Sequence, residues 1–240
     1  MTDGTILPLR IENLRFEAAG KRLVDGISLT LSRGPRTVIL GPNGAGKSLM
    51  LRLCHGLLRP TGGEVRWLGA TAAPAARRQA MVFQHPVMLR RSARANIDYA
   101  LRLRRIPRRL RTARIADVLA DTGLGPLADQ AARQLSIGEQ QRLALARAWA
   151  TAPDVLFLDE PTASLDPAAT RAVEEIISAI DLTGTKIVMT THDLGQARRL
   201  ADEIVFLHRG RLLEHRPAAD FFAGPATAEA AAFVAGKLLW

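Results

Sequence analysis

The hydrophobic and polar positions of this chain change rhythm several times, and each rhythm predicts an element. Leu9-Arg10-Ile11-Glu12-Asn13-Leu14-Arg15-Phe16 alternates apolar and polar residues, the pattern of a strand with one buried face. A turn at Ala19-Gly20-Lys21 leads to a second alternating run, Ile27-Ser28-Leu29-Thr30-Leu31. Together they predict an antiparallel hairpin, expected beside the strand Thr37-Val38-Ile39-Leu40. That strand is apolar almost throughout, as are Val155-Leu156-Phe157-Leu158 and Ile187-Val188-Met189-Thr190. Short continuous apolar runs suit parallel strands covered on both faces. Glu64 to Gly69, after the turn Pro60-Thr61-Gly62-Gly63, and Met81-Val82-Phe83 predict two more strands. Ile204-Val205-Phe206-Leu207 and Arg211-Leu212-Leu213-Glu214 flank a His208-Arg209-Gly210 turn and predict a final hairpin.

Other stretches keep the helical period. Leu49 to Cys54 predicts a helix opening at Lys47. Ile115, Val118, Leu119 and Thr122 fall on one helical face, and Gly123 and Gly125 end that helix. Glu174 to Ile180 predicts the tail of a helix crossing between two apolar strands, and alanine-rich Ala226 to Trp240 a closing helix. The expected architecture is α/β, with an antiparallel β subdomain and a helical subdomain inserted after Gln84.

Composition narrows the picture. The 240 residues are 48% hydrophobic, enough for a sizeable core. No apolar run approaches the roughly 20 residues needed to cross a bilayer, and the N-terminus resembles no export signal. The single cysteine, Cys54, cannot form an internal disulfide and reads as a core residue among leucines. The expectation is a soluble cytoplasmic chain. Lys and Arg exceed Asp and Glu by 33 − 23 = 10. Much of the excess lies between Arg90 and Arg114, where Asp98 is the only acid. An anionic membrane face, an acidic partner, nucleic acid and a merely solvated face all fit such a stretch. Tyr99 is its single aromatic, so no aromatic-interleaved basic patch of the nucleic-acid kind appears.

Candidate chemistry begins at Gly41-Pro42-Asn43-Gly44-Ala45-Gly46-Lys47-Ser48, which satisfies the phosphate-binding pattern G-x-x-x-x-G-K-[ST] between a strand and a helix. Glycines let the backbone curl so that N–H groups and the helix N-terminus face phosphate oxygens. Lys47 can reach β- and γ-phosphates, and the Ser48 hydroxyl can ligate Mg²⁺. Downstream, Val155-Leu156-Phe157-Leu158 delivers Asp159 and Glu160 to the ligand-binding end of a parallel sheet. Asp159 suits Mg²⁺. Strand alternation turns Glu160 the other way, where it could polarise an attacking water.

Leu135-Ser136-Ile137-Gly138-Glu139-Gln140-Gln141-Arg142 opens a helix, and here a family likeness emerges. The chain resembles the nucleotide-binding subunit of an ATP-binding cassette (ABC) transporter, over residues 9 to 215. The stretch is similar to the LSGGQ signature, departing from it at Ile137 and Glu139. The resemblance implies an ATPase with ATP and Mg²⁺ as cofactors. Residues Gly41 to Ser48 with Leu49 would hold the nucleotide, and Phe16 would stack on adenine. Gln84 would sense Mg²⁺ and the γ-phosphate, Asp159 and Ser48 would hold the metal, and Glu160 and His192 would act catalytically. Ser136, Gly138, Glu139 and Asp166 would serve the nucleotide of a second copy in a head-to-tail dimer. One domain would span 1–240: a core at 9–84 and 143–215, a helical subdomain at 85–142 and a helical tail at 216–240.

The resemblance further implies permease subunits, docked around His85 to Arg94, and a periplasmic or lipoprotein solute-binding protein. The chain would lie on the cytoplasmic side of the inner membrane, with no nucleic-acid partner. Ser48 to Leu57 and Arg78 to Ser92 look closest to oxyanion importers of the tungstate type, with phosphate and molybdate relatives. An exporter or cell-envelope cassette is the alternative, and a nucleic-acid or ribosome-associated cassette a more distant one.

Overall fold

The computed structural model describes residues 4–69 and 75–237. Expectations that touch Met1 to Asp3 and Leu238 to Trp240 lie outside those residues. The alternating runs form β1 (Leu9–Ala18) and β2 (Lys21–Leu31), an antiparallel hairpin in which Leu9 faces Leu31. Thr37–Leu40 is β3, and the helix α1 (Lys47–His55) follows it. Next come β4 (Gly62–Trp67) and β5 (Gln79–Val82). The helical stretch holds α2 (Ala93–Leu103), α3 (Arg108–Asp121) and α4 (Ile137–Trp149). Then β6 (Val155–Asp159), α5 (Pro167–Leu182), β7 (Lys186–Thr190) and α6 (Leu194–Leu200) alternate. The chain closes with β8 (Glu203–His208), β9 (Arg211–Pro217), α7 (Ala218–Ala223) and α8 (Ala228–Val234).

Two sheets result. The first is antiparallel, in the order β2-β1-β4. The second runs β5-β6-β7-β3-β8-β9, parallel except for its last strand. The first hairpin was expected beside β3, but it belongs to a sheet of its own, because β4 takes the free edge of β1. Strand β5 covers Gln79–Val82, so Phe83 lies beyond it and is exposed. The closing helix expected over Ala226 to Trp240 is α8, which ends at Val234, and α7 precedes it across Gly224 and Pro225.

The parallel strands show why they are apolar throughout. Ile39, Val155, Phe157, Val188, Val205 and Leu207 point to one face, where they pack with α1 and the antiparallel sheet. Their neighbours Val38, Leu40, Leu156, Leu158, Ile187 and Met189 point to the other, into the core shared with α2 to α8. Period-two alternation thus serves two cores at once. Each fully buried Leu, Ile or Phe contributes roughly 1.5–3 kcal/mol. Ile115, Val118 and Leu119 on α3, and Thr122 at its C-cap, are buried, as their spacing predicts. Helix α4 spans Ile137–Trp149, so the expected subdomain boundary at 142/143 falls inside one helix.

Candidate active site

Strand β3 ends at Leu40, and the chain folds over the sheet end before α1 starts at Lys47. Gly41 has φ +152, and a Cβ there would collide with the Leu207 carbonyl on β8. Gly46, at φ +97, comes just before α1, and its Cβ would lie 3.0 Å from the Leu23 carbonyl oxygen. Both glycines are therefore required by close backbone approach as well as by conformation. No side chain caps α1, so its first N–H groups are available to an anion. Beside them is a cavity of about 300 Å³, lined by Leu23, residues 43–49 and Glu160.

Lys47 is buried, and its Nζ donates to the carbonyls of Gly41 at 2.8 Å and Pro42 at 3.1 Å. Burial lowers its pKa, opposed by the negative charges of Glu160 and Asp159. Asp159, the last residue of β6, is buried too. Its Oδ1 accepts from Ser48 Oγ at 2.7 Å and from Thr190 Oγ1 at 3.0 Å, and its Oδ2 is 3.6 Å from an Arg52 nitrogen. Thr190 Oγ1 in turn accepts from the Glu160 amide at 3.0 Å.

Glu160 stands at φ +46, a left-handed conformation uncommon for a side-chain-bearing residue. The strand pleat stops at Asp159, and Glu160 turns toward the cavity instead of continuing the alternation. Its Oε1 lies 3.8 Å from Lys47 Nζ, and its Oε2 lies 3.2 Å from His192 Nδ1. His192 is half-exposed. Carboxylate, ammonium and imidazole thus meet at one point.

The oxygen pair of Ser48 and Asp159 fits a hard divalent cation, which prefers one or two protein oxygens plus phosphate and water. No group of three or more His, Cys, Asp or Glu that could hold a metal occurs among the described residues. Any such ion would depend on the nucleotide for its remaining ligands.

Other expected residues lie apart from the cavity. Ser136 and Glu139 form a capping box on α4: the Ser136 amide and Oγ each donate to Glu139 Oε2 at 2.8 Å, and the Glu139 amide donates to Ser136 Oγ at 3.3 Å. The bond from the Ser136 amide lowers the Glu139 pKa. Ile137 is exposed. A Cβ on Gly138 would lie 2.9 Å from that of Ala169 on α5. Asp166 caps α5, accepting from the Ala169 amide at 2.8 Å. Gln84 is exposed after β5. Phe16 lies within β1 opposite Val24, packed on the core of the antiparallel sheet, and the residue of that sheet lining the cavity is Leu23. Sequence reasoning missed Leu23, Arg52 and Thr190. Arg52 was within reach of it, because it follows Ser48 by one helical turn.

The family model described as "ABC transporter" matches residues 24–163. The chain belongs to the ABC transporter family, and its domain is an ATP-binding, ATP-hydrolysing one. It is 38% identical over 209 residues to the tungstate uptake system ATP-binding protein TupC of Peptoclostridium acidaminophilum, covering 87% of this chain and 98% of that one. It is 37% identical to the phosphate import ATP-binding protein PstB 2 of Natronomonas pharaonis, over 92% of this chain and 84% of the relative. The methionine import ATP-binding protein MetN of Nocardia farcinica is 38% identical, over 98% and 74%. Among solved structures, an ATP-binding subunit of an ABC transporter matches with a TM-score of 0.82 at 23% identity, over 96% of this chain and 99% of that one. The structure of cbiO1 from Clostridium perfringens matches at 0.79 and 27% identity, over 90% of each. The α/β architecture is that of an ABC ATPase.

Proposed function

We propose that this chain is the ATP-hydrolysing subunit of an importer for a small solute, an inorganic oxyanion of the tungstate type. The observation that carries the substrate reading is the tungstate relative, matched over 98% of its length. Lys47 exchanges its loop carbonyls for β- and γ-phosphate oxygens, and the α1 N-terminus and residues 41–49 hold the rest of the triphosphate. A divalent cation held by Ser48, Asp159 and Gln84 would supply charge neutralisation at the phosphates. Glu160 orients and deprotonates the attacking water, with His192 beside the γ-phosphate. Ser136, Gly138, Glu139 and Asp166 complete the site of a second copy across a head-to-tail dimer. That explains why these residues do not line the cavity of a single chain.

A groove of about 410 Å³ between α2, α4 and β5, lined by His55, Gln79, Tyr99, Leu103, Arg104 and Arg147, suits a permease's cytoplasmic helix at the inner membrane face. A solute-binding protein outside would present the substrate to that permease. Charge reversal at Arg90 and Arg91 should reduce co-purification with the permease and spare ATP binding. The methionine import relatives favour a second reading, an amino-acid importer. Uptake by a deletion strain at low external concentration separates them: tungstate accumulation falls while phosphate and methionine uptake persist. Unchanged tungstate uptake with the gene expressed would refute the substrate assignment.

A further inference from the structure

The fold absorbs only part of the arginine-rich stretch. Arg94 pairs with Asp129 at 3.0 Å, and Arg102 and Arg111 share Asp98 at 2.8 and 2.7 Å. Arg104 donates to the carbonyls of Ala76 and Gln79, and Arg114 to that of Trp149. Apart from exposed Arg90 and Arg91, the latter over the Tyr99 ring, what remains is the corner where α2 turns into α3. There Arg105, Arg108 and Arg109 are exposed, with no carboxylate partner among the described residues. Two leucines flank them, Leu103 at 64% and Leu110 at 53% exposure. From residue 102 to 110 the chain has five arginines and no acid. Pro107 leaves the start of α3 without a side-chain cap, which adds partial positive charge at the same point.

The backbone carries a second sign. Arg105 sits at φ +60, donating its amide to the Arg102 carbonyl at 2.8 Å, while the Ile106 amide reaches the Leu101 carbonyl at 3.0 Å. Glycine or asparagine occupies such a helix exit without strain. An arginine kept there against its backbone preference points to a use for the side chain.

We propose that this corner rests on an anionic bilayer, its guanidinium groups on lipid phosphates and its leucines in the acyl boundary. Basic residues interleaved with exposed apolar ones bind such surfaces by charge and by burial together. Nucleic acid would leave the leucines in water. No helix among the described residues is long and apolar enough to cross a membrane, so contact must be made by a surface. Leu103 and Arg104 also line the groove assigned to the permease, which puts corner and groove on one side of the molecule.

The test is sedimentation of the full chain with phosphatidylglycerol-rich vesicles against phosphatidylcholine alone. Wild type binds the anionic vesicles and is released as salt rises. R105Q/R108Q/R109Q lowers binding roughly 100-fold, since each basic residue is worth about fivefold at such a surface. L103S/L110S weakens it with no change of charge. R33Q/R59Q/R171Q removes the same charge from exposed sites elsewhere and retains binding. ATP affinity without vesicles verifies that each variant is folded and does not depend on the transported solute. Equal losses in the two triple variants, leucine variants that bind like wild type, or no vesicle binding at all would each overturn the proposal. Should wild type ignore vesicles while R105Q/R108Q/R109Q loses the permease on co-purification, the corner docks an acidic protein surface instead.

Discussion

At the scale of single residues, Glu160 joins three partners at the candidate site. Thr190 holds its amide, and Lys47 and His192 flank its carboxylate. Glu160→Gln keeps shape and hydrogen bonding but removes the charge that, in the proposed mechanism, polarises water. Positioned base catalysis is worth about 10²–10⁴-fold, so turnover should fall at least about 100-fold while ATP still binds. The variant should then accumulate as an ATP-bound dimer on size-exclusion chromatography with Mg-ATP. Lys47→Ala should lose nucleotide and elute as a monomer under the same conditions. Wild-type turnover in Glu160→Gln would move the base elsewhere. The phosphate loop and the Asp159-Glu160 pair were legible because each is contiguous in the chain. Thr190 was not, because strand register brings it to Asp159 across 31 residues.

Helices α4 and α5 show what an element adds. Glu139, a departure from the family signature, is the carboxylate that closes the capping box on α4. Ser136 Oγ is occupied by that box and would have to turn to meet a phosphate as proposed. Asp166→Ala removes the α5 cap, and thermal unfolding should register a loss of about 1 kcal/mol. Gly138→Ala forces α4 away from α5, and overpacking of this kind costs roughly 1–3 kcal/mol. A helix start was legible at Leu135 to Arg142, but its packing against Ala169 was not. That contact depends on how two helices cross, which no local pattern records.

The whole molecule depends on two cores meeting at one sheet. The apolar runs 37–40, 155–158 and 187–190 revealed parallel strands, and their alternation decides which core each side chain enters. The antiparallel β subdomain was expected, but the pairing of β1 with β4 was not visible, because that partner lies some 50 residues on and is chosen by packing. At the opposite end of the sheet from the active site, Glu203 accepts from Thr37 Oγ1 and from the buried Lys186, with His215 Nε2 at 3.0 Å. Burial alone would raise the Glu203 pKa, but the bonds to His215 and Thr37 and the Lys186 charge outweigh it and bring it from 4.5 to about 2. This stability is complete above pH 4.5 and is lost as pH falls toward about 2. Glu203→Gln should cost roughly 3 kcal/mol at neutral pH by stranding Lys186, and its unfolding free energy should vary less over that acid range. An equal acid slope in both proteins would assign the dependence to other carboxylates.

The contact between Gly138 and Ala169 also bears on how such chains diverge. One methyl fits between the two helix starts, and two do not. The position that carries it is arbitrary, but the total is fixed, so the two sites share a single allowance of volume. Lineages that place a side chain at 138 should therefore have lost one at 169, with the exchange passing through Gly at both rather than Ala at both. In the laboratory, adding Ala169→Gly to Gly138→Ala should recover part of what the first change cost, despite the penalty of glycine inside a helix. A double variant no more stable than Gly138→Ala would show that the helices yield in some other way.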